Sequence, residues 1–152
     1  MRVPRFVGGR KIEFGEKPVP TPGPGELLIR VRANALCGSE RPQYFDGTPV
    51  TPGHEAVGEV ARAGPETCTK AGTPGAIFLM DYCGTCRSCR LGATNQCLSK
   101  RGDMGFNRDG GYGSFSNQTV DRDIKRDIVR ASKFSRSGKR PRRDERGVGR
   151  HP

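Results

Sequence analysis

No stretch of this sequence approaches the roughly 18 consecutive apolar residues that a membrane-spanning helix requires. Residues 1–10 also lack the run of roughly 7–15 apolar residues that marks a secretory signal. A soluble chain in a reducing cytoplasm, without a membrane partner, is therefore the expectation. Apolar residues make up only 32% of the chain, so the core must be modest. There is no internal repeat. There is also no G-x-G-x-x-G turn of the kind that seats a dinucleotide between a strand and a helix. The nearest string, Gly147-Val148-Gly149-Arg150-His151-Pro152, has proline at the third glycine position, no preceding strand and no room for a helix.

What the chain does contain is glycine and proline, 22 and 12 of them, which favours turns and short strands over long helices. At 152 residues it has room for one domain with a real core. A mainly β fold follows. Residues 17–26 form a rigid Pro/Gly segment that no helix or central strand could contain. After it, Leu27, Ile29, Val31 and Ala33 alternate with Leu28, Arg30, Arg32 and Asn34, which predicts a strand with one buried face. Further strands are predicted over 55–63 and 114–120, the latter entered through the tight turn Gly110-Gly111-Tyr112-Gly113. The continuously apolar run 76–80 predicts a strand buried on both sides.

Charge divides the chain. Of the net charge of +11, residues 121–152 carry 12 Lys/Arg against 5 Asp/Glu, while residues 1–120 carry 15 against 11. The basic excess therefore belongs mainly to a tail with few apolar residues and no sustained period. We divide the chain into a domain over 1–120 and a basic low-order tail over 121–152, with 135–152 expected to be disordered.

Six cysteines are present, four of them as C-x2-C-x2-C-x7-C: Cys83, Cys86, Cys89 and Cys97. Thiolates spaced this way in one loop can converge on a single ion, and four sulfurs with no open position describe a structural zinc. Gly84 and Gly92 give the loop its backbone freedom. Arg87, Arg90, Lys100 and Arg101 lie nearby in sequence to offset the negative charge of such a site. Three other readings compete, of which four unrelated free cysteines is the weakest. Disulfides between cysteines so close in sequence are strained and suit an oxidising compartment. An iron–sulfur run has its fourth cysteine after three residues and then a proline, whereas here seven residues intervene and Leu98 follows. Zinc is the reading we carry forward. Cys68 stands apart from the cluster.

The cluster, Cys37-Gly38-Ser39-Glu40 and Pro52-Gly53-His54-Glu55 together resemble the medium-chain zinc-dependent alcohol dehydrogenases, nearest the threonine/sorbitol dehydrogenase-like branch, over roughly residues 25–120. That resemblance implies a GroES-like, partly open β-barrel carrying the zinc loop as a lobe. It implies that Cys37 and His54 are ligands of a second, catalytic zinc, with Glu55 a nearby or exchangeable ligand. Ser39 would relay the departing proton, and Glu40, where relatives usually carry Asp, would orient His54. A small alcohol substrate and NAD(P) are implied as well. The family's third protein ligand and its Rossmann domain come from further along the chain than anything matched here, so the second site is expected to be incomplete. The sequence is expected to be a truncated or frame-shifted product, inactive alone. The alternative is a standalone zinc-binding module whose basic tail contacts nucleic acid or another polyanion. Against it, the tail has one aromatic residue, Phe134, for stacking on bases, and the cluster spacing matches no common nucleic-acid finger.

Overall fold

The computed structural model describes residues 1–119. The tail over 121–152, and the disorder expected for 135–152, lie outside the described residues.

Strands dominate. β1 (Arg2–Gly8) and β2 (Lys11–Glu16) form an antiparallel hairpin. Its two-residue turn places Gly9 and Arg10 at φ 58° and 63°, the left-handed pair that matches the twist of the flanking strands. The tip docks on α1 (Arg41–Asp46), where the Gly9 and Arg10 N–H groups donate to the Phe45 and Tyr44 carbonyls. Val3 and Phe6 of β1 turn inward.

The body is a four-stranded antiparallel sheet. It contains β3 (Glu26–Asn34), β4 (Ala56–Ala63), β5 (Pro74–Ala76) and β8 (Phe115–Thr119), in the spatial order β5, β4, β3, β8. A third, two-stranded sheet joins β6 (Met80–Asp81) to β7 (Gly102–Asp103). None of these sheets closes on itself, so the barrel is partly open, as expected.

The β3 pattern departs from simple alternation. Leu27, Leu28 and Ile29 are all buried, so the first half of the strand is covered on both faces. Register shifts opposite β4 then break the alternation, and Ala33 ends up exposed. The run 76–80 is not one strand either. The Ile77 N–H makes its bond to the Ala56 carbonyl beside β4, while the Leu79 carbonyl already accepts from Met104 beside the small sheet. The chain changes sheets at 77–79. Of that run only Ile77 is buried.

Among the described residues three apolar clusters result. Leu27, Ile29 and Val60 with Ala63 fill one, and Ala56, Ile77 and Met104 with Val31 fill the second. The third is separate: Tyr82, Cys89 and Cys97, with Phe78, Cys83 and Cys86 against them. Among the described residues no helix is long and apolar enough to cross a membrane.

Candidate metal centres

The four cysteines predicted as a cluster meet in space. Cys83 ends the exit from β6, Cys86 caps α2 (Arg87–Arg90), Cys89 lies inside it, and Cys97 follows a short 3-10 turn over Thr94–Gln96. All four thiols are free. Sulfur–sulfur distances are 3.5 Å for Cys86–Cys89, 3.6 Å for Cys97–Cys83, 3.9 Å for Cys86–Cys97 and 4.0 Å for Cys83–Cys89. Four sulfurs held about 2.3 Å from one tetrahedral ion would lie about 3.8 Å apart. The spread straddles that value, so the donor set can take a zinc with little movement.

The backbone prepares the thiolates. The Cys86 N–H donates to Cys83 Sγ at 3.3 Å, and the Cys83 N–H to Cys97 Sγ at 3.4 Å. These N–H groups favour the charged sulfur. The Cys83 thiol is held down to about 6, chiefly by the N–H of Cys86 and then by that of Thr85. Cys86 is lowered by the N–H groups of Cys89 and Leu98. Burial pushes Cys89 up to about 12, with the Cys86 and Cys97 thiols adding to the rise. A metal would have to displace that proton on binding, and Cys83 offers the ready thiolate. Because all four sulfurs must be thiolates to hold the ion, zinc should stay bound at pH 7 and be released only as acid competes for the sulfurs, as followed with a chromogenic chelator. A release midpoint above pH 7 would contradict this.

The four cations named for charge balance divide. Arg87 and Arg90 sit on α2, the helix that also carries Cys89. Lys100 instead pairs with Asp103 at 2.6 Å, and Arg101 donates to the Tyr82 carbonyl and to Asp81, at 2.8 Å between Nη2 and Oδ1. Asp81 is buried and receives Arg108 on its other oxygen. This Arg101–Asp81–Arg108 arrangement, not read from the sequence, ties the lobe to the loop that precedes β8.

The second group, Cys37, His54 and Glu55, also converges, with ligand atoms within 4.8 Å of one another. Cys37 lies just past β3 and His54 just ahead of β4, strands that pair directly. Strand pairing therefore brings the two motifs together. Ser39 Oγ donates to Cys37 Sγ at 3.2 Å and lies 3.4 Å from His54 Nε2. Glu55 Oε1 is 3.9 Å from the same Nε2. On the other side of the ring, Nδ1 lies 3.0 Å from Glu40 Oε1, in ion-pair range although not aligned as a hydrogen bond. Glu40 is 2% exposed, in the 3-10 turn Gly38–Glu40, and its Oε2 accepts from the Tyr112 hydroxyl. The Phe106 ring packs 5.1 Å from the imidazole. The donor set thus offers one sulfur, one imidazole nitrogen and one carboxylate oxygen on one side of the ring, with a carboxylate behind it. That suits a borderline-soft ion with a position left open.

Sequence reasoning missed Phe106 and Tyr112. Burial, and then the adjoining Glu40 carboxylate, push the Tyr112 phenol well above its ordinary range, so it remains a donor. Its place in a glycine-rich turn was the only signal available.

Comparison with known proteins adds the following. Residues 23–125 match the family described as the alcohol dehydrogenase GroES-like domain. A D-altritol 5-dehydrogenase of Agrobacterium fabrum is 38% identical over 122 residues, covering 76% of this chain and 36% of the relative. An L-threonine 3-dehydrogenase of Deinococcus radiodurans is 35% identical over 120 residues, covering 70% and 33%. The cobalt- and zinc-bound thermostable alcohol dehydrogenase of Pyrobaculum aerophilum superimposes with a TM-score of 0.71 at 32% identity, over 78% of this chain and 39% of that one. The chain spans about a third of the length of the curated relatives it matches.

Proposed function

Because this chain belongs to the alcohol dehydrogenase GroES-like domain family, we propose that it supplies the metal-binding, alcohol-recognising part of a zinc-dependent alcohol or polyol dehydrogenase. In this reading residues 1–120 are the catalytic domain, Cys83, Cys86, Cys89 and Cys97 hold a structural zinc, and Cys37, His54 and Glu55 hold a catalytic one. The observation that carries it is the two-sided environment of His54. Nε2 faces Cys37 and Glu55, while Nδ1 faces buried Glu40.

A zinc ion at Cys37, His54 and Glu55 would act as a Lewis acid toward the substrate hydroxyl. The chain's own residues do the rest. Glu40 fixes the imidazole ring, and the proton belongs on Nδ1 so that Nε2 is free to ligate. Ser39, whose hydroxyl both donates and accepts, takes the substrate's proton at Oγ and passes it outward. Phe106 walls the ring on one side and limits water there. Glu55, 46% exposed at its side chain, is free to swing toward or away from the ion. Hydride must go to NAD or NADP, held by residues other than those described. A reducing, cytoplasmic setting keeps the six thiols free.

Metal loading is the test. Zinc-loaded chain should take up a further cobalt ion, and adding a polyol or L-threonine should shift its visible spectrum. Cys37→Ser should abolish that uptake and leave the four-cysteine site filled. No second uptake would overturn the reading. As purified, the 152-residue chain should hold nearer one zinc than two, because the described residues give the second site three donors, one of them exposed. Two tightly held ions by metal analysis would show that Glu55, or a residue of the tail, completes the site. Alone, the same chain should show little or no turnover of alcohol with NAD or NADP, because the hydride acceptor needs a site of its own. Measured turnover would refute that.

A further inference from the structure

We propose that Tyr112 is a positioning residue of the second metal site, holding the Glu40 carboxylate so that its other oxygen aims His54 at the ion. The inference rests on the reading of Cys37, His54 and Glu55 as ligands.

Glu40 is almost wholly buried, and a buried carboxylate must find donors or lose a large solvation energy. It has two oxygens and two tasks. Oε1 faces His54 Nδ1 at 3.0 Å. Oε2 takes the Tyr112 hydroxyl, and the Cys37 N–H only at the limit of range, 3.5 Å. Remove the phenol oxygen and Oε2 keeps that one long contact. The carboxylate would then rotate to share its donors, and Oε1 would leave the imidazole.

Tyr112 is itself fixed at both ends. Its N–H donates to the Pro52 carbonyl at 3.1 Å, while the Gly111 N–H donates to the Gly53 carbonyl at 2.8 Å. The residue therefore rides on the same short segment that ends in His54. Its hydroxyl reaches across to the Ala35 carbonyl at 3.3 Å and to Glu40, both on the segment that carries Cys37. The ring rests against Phe6, with centroids 6.1 Å apart. One side chain thus spans the two segments that bring sulfur and imidazole together. A shorter aspartate at position 40 would draw the carboxylate back, away from one of its two partners.

Cobalt titration of the zinc-loaded 152-residue chain tests this, with the four-cysteine zinc and the circular dichroism spectrum as controls for folding. Tyr112→Phe should weaken second-site cobalt binding roughly tenfold, in the range seen when the partners of metal ligands are removed. In a Glu40→Asp background the same Tyr112→Phe change should alter affinity less than about twofold, because the bridge is already broken. An equal loss in both backgrounds would mean that Tyr112 acts by packing alone, and would overturn the inference. Unchanged affinity with Glu40 present would overturn it as well. Failure of the parent chain to bind a second ion would sink the ligand reading, and the inference with it. If Tyr112→Phe does not fold, proton NMR of the parent decides. A slowly exchanging, far-downfield Tyr112 hydroxyl that vanishes in Glu40→Ala supports the bridge, and its absence from the parent refutes it.

Discussion

Replacing Cys97 with serine should strip the metal from the four-cysteine lobe and melt that lobe, while the sheet body stays folded. The lobe has little else to hold it. Its apolar cluster consists of Tyr82 and Phe78 plus the four cysteines themselves, and its only α-helix is the four-residue α2. A helix of one turn is unstable by itself. Structural zinc sites contribute about 10–16 kcal/mol of apparent binding energy to small metal-stapled folds at pH 7. That is far more than two aromatic rings can replace. The two body clusters share no residue with the lobe, so the damage should stop at its edge, where Asp81 is held by Arg101 and Arg108. Trypsin reports the outcome directly. Arg87 and Arg90 are exposed on α2. They should resist cleavage in the zinc-bound parent and be cut rapidly in Cys97→Ser or in chelated protein, leaving a body that still unfolds cooperatively. A Cys97→Ser chain that retains one zinc and resists cleavage there would contradict the assignment.

The contrast between the two metal sites explains what could be read in advance. All four lobe ligands lie in one loop, so their spacing alone carried the geometry. The second site draws Cys37 and His54 from two segments 17 residues apart in sequence that meet at one end of the β3–β4 pair, and only the family resemblance joined them. The Tyr112–Glu40 contact spans 72 residues and has no local signature at all. Strands β3, β4 and β8 were legible because glycine and proline bracket their patterns. The β1–β2 hairpin was not, since Pro4 lies within β1 and few of its side chains are buried. Its signal was the Gly8-Gly9-Arg10 turn, where three successive residues take positive φ. The run 76–80 misled because apolar continuity says nothing about which sheet a residue joins. There the hydrogen-bond partners change, from Ala56 to Met104, between Ile77 and Leu79.

Gly110→Ala should be the most damaging single methyl group added near the second site. A Cβ there would sit 2.0 Å from the Gly53 carbonyl oxygen and 2.8 Å from both the Gly105 Cα and the Pro52 oxygen. All three are backbone atoms, so no rotamer change relieves the clash. The turn must instead lift away from 51–53. That stretches three bonds: Gly110 N–H to the Thr51 carbonyl at 2.7 Å, Gly111 to Gly53 at 2.8 Å and Tyr112 to Pro52 at 3.1 Å. Overpacking of this kind costs on the order of 3 kcal/mol, or a fall in Tm of roughly 10–20 °C for a domain of this size. Gly9→Ala is the control. Gly9 has φ 58° but no neighbour within 4 Å of an added Cβ, so only the left-handed conformation opposes it, at about 1 kcal/mol. The two variants should also differ in metal. The displaced turn carries Tyr112 and abuts His54, so Gly110→Ala should lose second-site cobalt binding while keeping the four-cysteine zinc. Gly9→Ala should keep both. If Gly110→Ala matched the parent in Tm and in second-site binding, the turn would not be what holds His54 in place.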